Sequence, residues 1–444
     1  MVRFHKSIAL PGSADPLEAT VALLNSYRDD DYYAYEHGDT WYIGLRSHAS
    51  LVVDPDGRAV TRFDQHGGQQ TYPANEPLGD IARAFAAEHS TRGKMFGQVG
   101  FNYSAHISGQ AYIPGRWPML SLMTPCIHAA ISRSRVTVTG DVEDEARAVF
   151  DLIGAHLIQV ATSPAPSWWY PAINLQADSE DYKARVTRAI ADIQDGKYTK
   201  AIASRIIRLP SRVDMLATLL RGRRANTPAR AFTLSHRGVQ ATGFSPEIVL
   251  SIDNQTAYTD ALAGTWLSDG ADVATISKKL LNDPKEVMEH AIAVQGSIRR
   301  LRRLCLPESI AVRDFMTTIP RGNVHHIFSR ITGQLSLCKT GWDSIRSNIT
   351  VPGLPTQANM DAIRSFEPYP RDLYCGVVLM LDGAEFFEAT LVLRTVFQDQ
   401  NRRWLQAGAG ITALSDPERE FMETCEKLGS IAPYVVAEGV KQQE

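Results

Sequence analysis

The chain has 444 residues, 44% of them hydrophobic and 21% charged, with a formal net charge of −3 at pH 7. That composition belongs to a globular protein with ample apolar residues for a large core. The near-balanced charge excludes a global nucleic-acid footprint and electrostatic attachment to anionic membranes.

MVRFHKSIALPGSADP at the N-terminus has too short an apolar core for a secretory signal, and no run of 18 apolar residues occurs. Up to residue 165, strand-like runs (YYAYEH, WYIGLR, SLVVDP, VTVTG) alternate with helical ones (PLGDIARAFAAEH, DEARAVFDLIGAHLIQVAT). TSPAPSWWYPAINLQ is the best linker candidate, and its Trp168 and Trp169 are expected to pack onto the body. This gives two portions, 1–165 and 166–444, within one compact unit. SEDYKARVTRAIADIQDG then reads as a helix with a capping-box-like start, ending at Gly196. KAIASRIIRL, ARAFTLS, VQATGFS and EIVLSI follow as strands. TDALAGTWLSDG reads as a strand end entering a Gly-Thr turn, with a bulky Trp266 where something small would be usual. A helix from Asp283 to about Leu304, the strands VHHIFSRITGQL, VVLMLDG, ATLVLRTVFQ and WLQAGAGI, and a last helix from Pro417 to about Leu428 complete the chain. Many strands with few long helices predict an α/β architecture of sheets flanked by helices.

Five scattered cysteines with no CxxC pair argue against a disulfide framework or a zinc site and for a reducing compartment, so a cytoplasmic protein is expected. The basic runs SIRRLRRL and RGRR read as a solvated helix face and a cation-rich helix end. Two helices start alike and display carboxylates alike. In DPKEVMEHAIAV, Glu286 and Glu289 are i,i+3 neighbours and His290 lies one i,i+4 step from Glu286. In SDPEREFMETCEKLG, starting on Ser415, Glu420, Glu423 and Lys427 share one stripe. Each carboxylate alone reads as part of a solvated helix face; meeting, the two faces could hold Mg²⁺, which takes few carboxylates together with an anionic ligand. Lys200 reads as either an edge-strand gatekeeper or a buried base, and Glu247 as either a turn residue or a general acid. His325 and His326 sit in a strand-like run where structural histidines are common, while Arg394 interrupts a run of β-formers and is costly to bury without an anion. No Walker A, GxSxG or HExxH pattern occurs, and GAG at 408–410 is too short for a dinucleotide fingerprint.

Taken together and in this order, GKYTKAIASR, ATGFSPEIV, LAGTW, DPKEVMEHAIAV, RGNVHHIFSRI, EPYPRDLYCGVVLMLDG, LRTVFQ, LQAGAGI and SDPEREFMETCEKL resemble the chorismate-utilising enzymes, within them most nearly the salicylate synthases. The resemblance spans roughly residues 180–436 and is weaker over the first portion, the scaffold half. It implies an anthranilate-synthase-like α/β unit of two packed, antiparallel-rich sheets flanked by helices. It also implies that Glu289 and Glu423 hold Mg²⁺, with Glu286 and Glu420 in its outer shell, and that the ion grips the ring carboxylate of chorismate. Lys200 matches the lysine that activates water and must be neutral to do so; Glu247 matches the acid that protonates the departing C4 hydroxyl. Tyr374 and Arg394 match binders of the enolpyruvyl carboxylate, helped by the backbone of Gly408; Gly264, Thr265, His326, Thr350 and Lys427 fill the remaining pocket positions.

By the same resemblance, Ala263 excludes the branch that carries a nucleophilic lysine there, and Lys200 argues for water rather than ammonia as nucleophile. Thr350 favours continuing from isochorismate to salicylate and pyruvate, with the C2 hydrogen moved in a concerted shift or with help from a base such as His326. The implied enzyme is a monomeric salicylate synthase without a glutaminase subunit, nucleic acid or membrane partner, serving siderophore or other secondary metabolism. An enzyme that stops at isochorismate, a relative with another product, or an inactive regulatory homologue are the alternatives. Departures from the family pattern are Trp266 at a usual arginine, Pro352 at a usual small residue, Thr356 at a usual lysine, Asp372 at a usual glycine and Cys375 at a usual serine.

Overall fold

The computed structural model describes residues 4–10, 14–159, 168–178, 181–268, 270, 272–337, 339–345 and 357–439. The strand pairings among them are antiparallel and form one continuous ladder that bends into two wings. The first wing runs Phe4–Ala9, Arg135–Gly140, Leu120–Ile131, Thr40–Val53, Tyr32–His37, Arg230–His236, Val239–Ser245, Thr395–Gln398, Arg403–Ile411, Ala201–Arg208. The second runs Gln69–Pro73, Ala59–Asp64, Thr40–Val53, Leu120–Ile131, Met95–Val99, Val377–Asp382, Phe386–Leu391, Ile248–Asp253, Thr256–Leu267, Val324–Gln334, Ala311–Arg321. The two long strands Thr40–Val53 and Leu120–Ile131 belong to both. WYIGLR and SLVVDP, separate in the sequence reading, are thus halves of one strand that passes from wing to wing.

Side-chain alternation sorts the core into layers. Tyr33 and Tyr35 face a central cluster with Phe96, Met123, Phe232, Val378 and Met380 drawn from both wings. Their neighbours Tyr32 and Ala34 face outward, under helices Pro16–Asn25, Glu143–Gln159 and Met215–Ala225. Leu379 and Leu381 face outward on the other wing, under Leu78–Glu88 and Pro284–Leu301. Helix, sheet, sheet and helix therefore stack, and the sheets pack on each other as expected.

The helices that matter for function begin where their caps dictate. Asp283 accepts bonds from the amides of Lys285 and Glu286 at 2.9 and 3.3 Å, and Pro284 takes the first turn. The last helix, Pro417–Gly429, is capped by Asp416 rather than Ser415, whose hydroxyl instead accepts the Thr412 amide at 3.0 Å. Trp168 packs under Arg221, 5.4 Å from its ring, whereas Trp169 is 54% exposed against expectation. Among the described residues no helix is long and apolar enough to cross a membrane.

Candidate active site

Strand ends and helix starts from both wings converge on one cavity. It is lined by Lys200, Glu247, Gly264, Thr265, Glu289, His326, Tyr374, Arg394, Gly408 and Lys427, ten residues that the sequence motifs single out separately. Thr350, Pro352 and Thr356 lie outside the described residues.

At one end, helices Pro284–Leu301 and Pro417–Gly429 bring their carboxylates together around a side chain the sequence reading did not single out. The Lys285 ammonium lies 3.0 Å from Glu286, 3.6 Å from Glu289, 3.6 Å from Glu420 and 3.7 Å from Glu423. Burial opposes its charge, but the four carboxylates more than offset this and hold it protonated. Lys200 donates to Glu289 Oε1 at 2.9 Å, and Lys427 to Glu423 Oε1 at 2.6 Å and to the Gly408 carbonyl at 3.0 Å. Burial alone would raise Glu289 and Glu423. Lys200 and Lys285 nevertheless hold Glu289 below its usual range, and Lys427 with Lys285 brings Glu423 down to about 2. Glu286 and Glu420 go the other way, chiefly through burial, Glu420 to about 7. The two carboxylates held low are those that the resemblance expects to hold a cation. Among the described residues the buried oxygens Glu420 Oε2 and Glu423 Oε2 have no hydrogen-bond partner, which leaves them free to face an ion. This all-oxygen donor set fits a hard divalent cation such as Mg²⁺, and an ion held there would displace the Lys285 ammonium from the carboxylates.

Glu247 precedes the strand Ile248–Asp253 and faces the cavity. Burial first, and the Asp260 carboxylate second, push its pKa up to about 8, so it is a neutral acid at pH 7. Nearby Arg394 is buried, at a left-handed φ of 50°, and donates from Nη1 to the Arg321 carbonyl at 2.8 Å. Its Nη2 donates to Nε2 of His326 at 2.5 Å. Among the described residues no carboxylate pairs with it, and burial lowers its pKa to about 9. A buried guanidinium without a counter-charge is a receptor for an anionic ligand. His326 Nδ1 lies 3.1 Å from the Gly264 carbonyl and 3.2 Å from Thr265 Oγ1, which assigns the ring proton to Nδ1. Burial and then Arg394 keep the ring neutral. With its lone pair engaged by Arg394, His326 orients that guanidinium. Its neighbour His325 turns to Ser268, 3.0 Å away, and His290 to Ser329, 2.8 Å away.

TDALAGTWLSDG resolves by strand alternation. A register shift between Ala263 and Thr265 places Gly264, at φ 81°, beside the cavity, and the Thr265 amide donates to Glu286 Oε2 at 2.8 Å. Trp266 points the other way, packing with Ile276 and Leu280 beneath Lys279, 5.2 Å from its ring. Its departure from the family pattern therefore lies outside the cavity wall. Asp372 is structural too: its carboxylate accepts the amides of Arg116 and Trp117 at 2.6 and 3.1 Å and pairs with Arg402 at 3.0 Å. Cys375 does line the cavity, as a thiol pushed up to about 11 by burial.

Two further contributors were missed. Gly410 has no room for a side chain, since a Cβ there would sit 2.4 Å from Glu289 Oε1 and 3.0 Å from Lys200 Cε. Its place in LQAGAGI was the available signal. Arg300, read as part of a solvated basic face, instead lines the cavity and donates to the Val249 carbonyl and Thr259 Oγ1 at 3.1 and 3.0 Å. Arg299 is exposed at the rim of the same cavity, and Arg302 and Arg303 are exposed away from it.

The model of the chorismate binding enzyme family matches residues 30–433. The chain is 31% identical to the salicylate synthase of Mycolicibacterium paratuberculosis, over 97% of this chain and 96% of that protein. It is 29% identical to anthranilate synthase component 1 of Haloferax volcanii, over 63% of this chain and 55% of that one. Among solved structures, the menaquinone-specific isochorismate synthase of Escherichia coli superposes with a TM-score of 0.71 at 20% identity, covering 98% of this chain and 94% of that one. Anthranilate synthase component I of Streptococcus pneumoniae gives 0.72 at 19%, over 89% and 93%. These two likenesses establish a shared fold.

Proposed function

The chain belongs to the chorismate binding enzymes, and we propose that within them it is a Mg²⁺-dependent salicylate synthase, converting chorismate through isochorismate to salicylate and pyruvate. The observation that carries this reading is a protonated acid, Glu247, in one cavity with a guanidinium, Arg394, that has no carboxylate partner among the described residues, and with Lys200 beside a cation-type carboxylate cluster. Near full-length similarity to a salicylate synthase supports the choice of product.

Chorismate carries two carboxylates. Arg394, held by His326 and the Arg321 carbonyl, receives the enolpyruvyl carboxylate, with Tyr374 and the Gly408 backbone alongside. Glu289 and Glu423 would hold Mg²⁺, with Glu286 and Glu420 around it, and the ion would supply a Lewis acid for the ring carboxylate. Lys200, once it has released its bond to Glu289 and lost its ammonium proton to solvent, takes a proton from the water that adds at C2. Glu247 donates its proton to the hydroxyl leaving C4, so one water enters and one departs. In the second step the C3–O bond breaks, and the C2 hydrogen passes to the methylene carbon of the departing enolpyruvyl group, giving pyruvate and the aromatic ring.

The test is incubation of the pure protein with chorismate and Mg²⁺, with and without EDTA, following products by HPLC and salicylate fluorescence. Salicylate and pyruvate in equal amounts, lost with EDTA, are expected; isochorismate accumulating without pyruvate overturns the assignment. Lys200→Ala should abolish water addition, and near-normal turnover in that variant removes Lys200 from its role.

A further inference from the structure

The place where the two wings part carries a second cluster of ligand-type side chains, remote in sequence from every motif of the cavity. In the shared strands, Ser47 pairs with Pro125 and Ala49 with Thr124, so His48 is the extra residue of a bulge. A bulge bends its strand and re-aims its side chain. His48 is thereby brought to Cys126 on the neighbouring strand and to Asp141, which follows Gly140 at the end of the next strand and donates its amide to the Cys126 carbonyl at 3.2 Å. An imidazole nitrogen, a thiol sulfur and a carboxylate oxygen, one from each residue, all lie within 4.8 Å of one another.

We propose that His48, Cys126 and Asp141 form a binding site for one transition-metal ion of the Zn²⁺ type. Donor chemistry separates it from the Glu cluster: mixed nitrogen, sulfur and oxygen ligands select a borderline-soft ion, whereas four carboxylates suit Mg²⁺. Three protein ligands leave a fourth position for water, and of the three His48 also lines a surface cavity with Phe85 and His89. In the structure Asp141 Oδ2 lies 3.3 Å from His48 Nδ1 and 2.7 Å from Arg92 Nη1, so the ion replaces the guanidinium as the charge facing that carboxylate. The thiol is protonated beforehand, burial and the Asp141 and Glu145 carboxylates raising it to about 11, and on binding its proton passes to solvent. An ion held by two shared strands and the end of a third pins the bend at which the sheet divides.

The experiment is a Co²⁺ titration of the full-length chain, stripped with chelator and then held in excess Mg²⁺ to saturate the Glu cluster. One equivalent should produce a thiolate-to-cobalt charge-transfer band, and Zn²⁺ should abolish it by displacement. Cys126→Ser should remove the band, and His48→Gln should weaken Zn²⁺ binding, read by competition with a chromophoric chelator, by at least about tenfold. Far-ultraviolet circular dichroism and chorismate turnover report whether each variant is folded. A wild-type chain giving no charge-transfer band, or a folded Cys126→Ser chain giving the same band, overturns the proposal.

Discussion

Glu247 differs from the other cavity carboxyls in facing no cation at ion-pair distance among the described residues; burial and Asp260 hold it protonated to about pH 8. If it is the proton donor, the active form is the acid, fully populated below that pH and lost as pH rises through it. The rate should therefore fall on the alkaline side with an apparent pKa near 8. Glu247→Gln keeps the shape and hydrogen-bonding reach but holds no transferable proton. It should lower kcat by about 10²–10⁴-fold, leave chorismate binding nearly intact and flatten the alkaline limb of the residual rate. A Gln variant with an unchanged pH profile would remove Glu247 from proton transfer. Residues of this kind were legible singly only as alternatives. Glu247 could be a turn residue and Lys200 an edge-strand gatekeeper, because burial and the facing charge, which decide between those readings, are set by residues dozens of positions away.

At the scale of elements, the paired helices show what spacing reveals and what it hides. The i,i+3 placement of Glu286 and Glu289, and of Glu420 and Glu423, put each pair on one helix face. Lys285, one residue before Glu286, carried no signal, because its role exists only once the second helix closes over it. With no divalent cation present it is the counter-charge of four carboxylates. Lys285→Met should therefore destabilise the chain in EDTA by roughly 3 kcal/mol, the low end for breaking a buried ion pair, since Glu286 and Glu420 protonate readily. Mg²⁺ should restore most of that loss and bind more tightly than in the wild type, with no ammonium to displace. Urea unfolding with EDTA and with Mg²⁺ checks this, and equal stability of both chains in EDTA refutes it. On the facing strand Arg403–Ile411, Gly410→Ala would push its methyl into Glu289 and Lys200. Turnover should drop by about 10²-fold, as displacements of this size do, with the far-ultraviolet circular dichroism unchanged.

For the whole molecule, the sequence marked most strands of the second portion but not Leu120–Ile131, Met95–Val99 or Ala311–Arg321, nor the outer helix Pro16–Asn25, nor how the wings join. WYIGLR and SLVVDP looked like two strands because the intervening Ser47, His48 and Ala49 break the apolar alternation, and the structure shows that break to be a bulge in one continuous strand. Nor could periodicity reveal Glu388, a carboxylate at 0% exposure within the FFEATL strand. It ties the wings together: from the first wing, Tyr35 Oη donates to it at 2.8 Å and Arg230 donates from Nε and Nη2 at 2.6 and 2.8 Å, with His37 at 3.2 Å. Burial alone would raise its pKa, yet His37 and Arg230 bring it down to about 2. A carboxyl depressed on folding contributes stability that is fully present above its ordinary pKa of 4.5 and is lost as pH falls toward about 2. Glu388→Gln keeps the volume but leaves the half-buried Arg230 without its counter-charge, at an expected cost of about 3 kcal/mol near neutral pH, the low end for a buried pair. The gap between variant and wild type should then close stepwise below pH 4.5, because acid neutralises the wild-type carboxylate as the substitution does. Urea midpoints measured across that range decide the matter: a gap that stays constant with pH would mean that the loss comes from hydrogen-bond acceptors the amide lacks rather than from the charge.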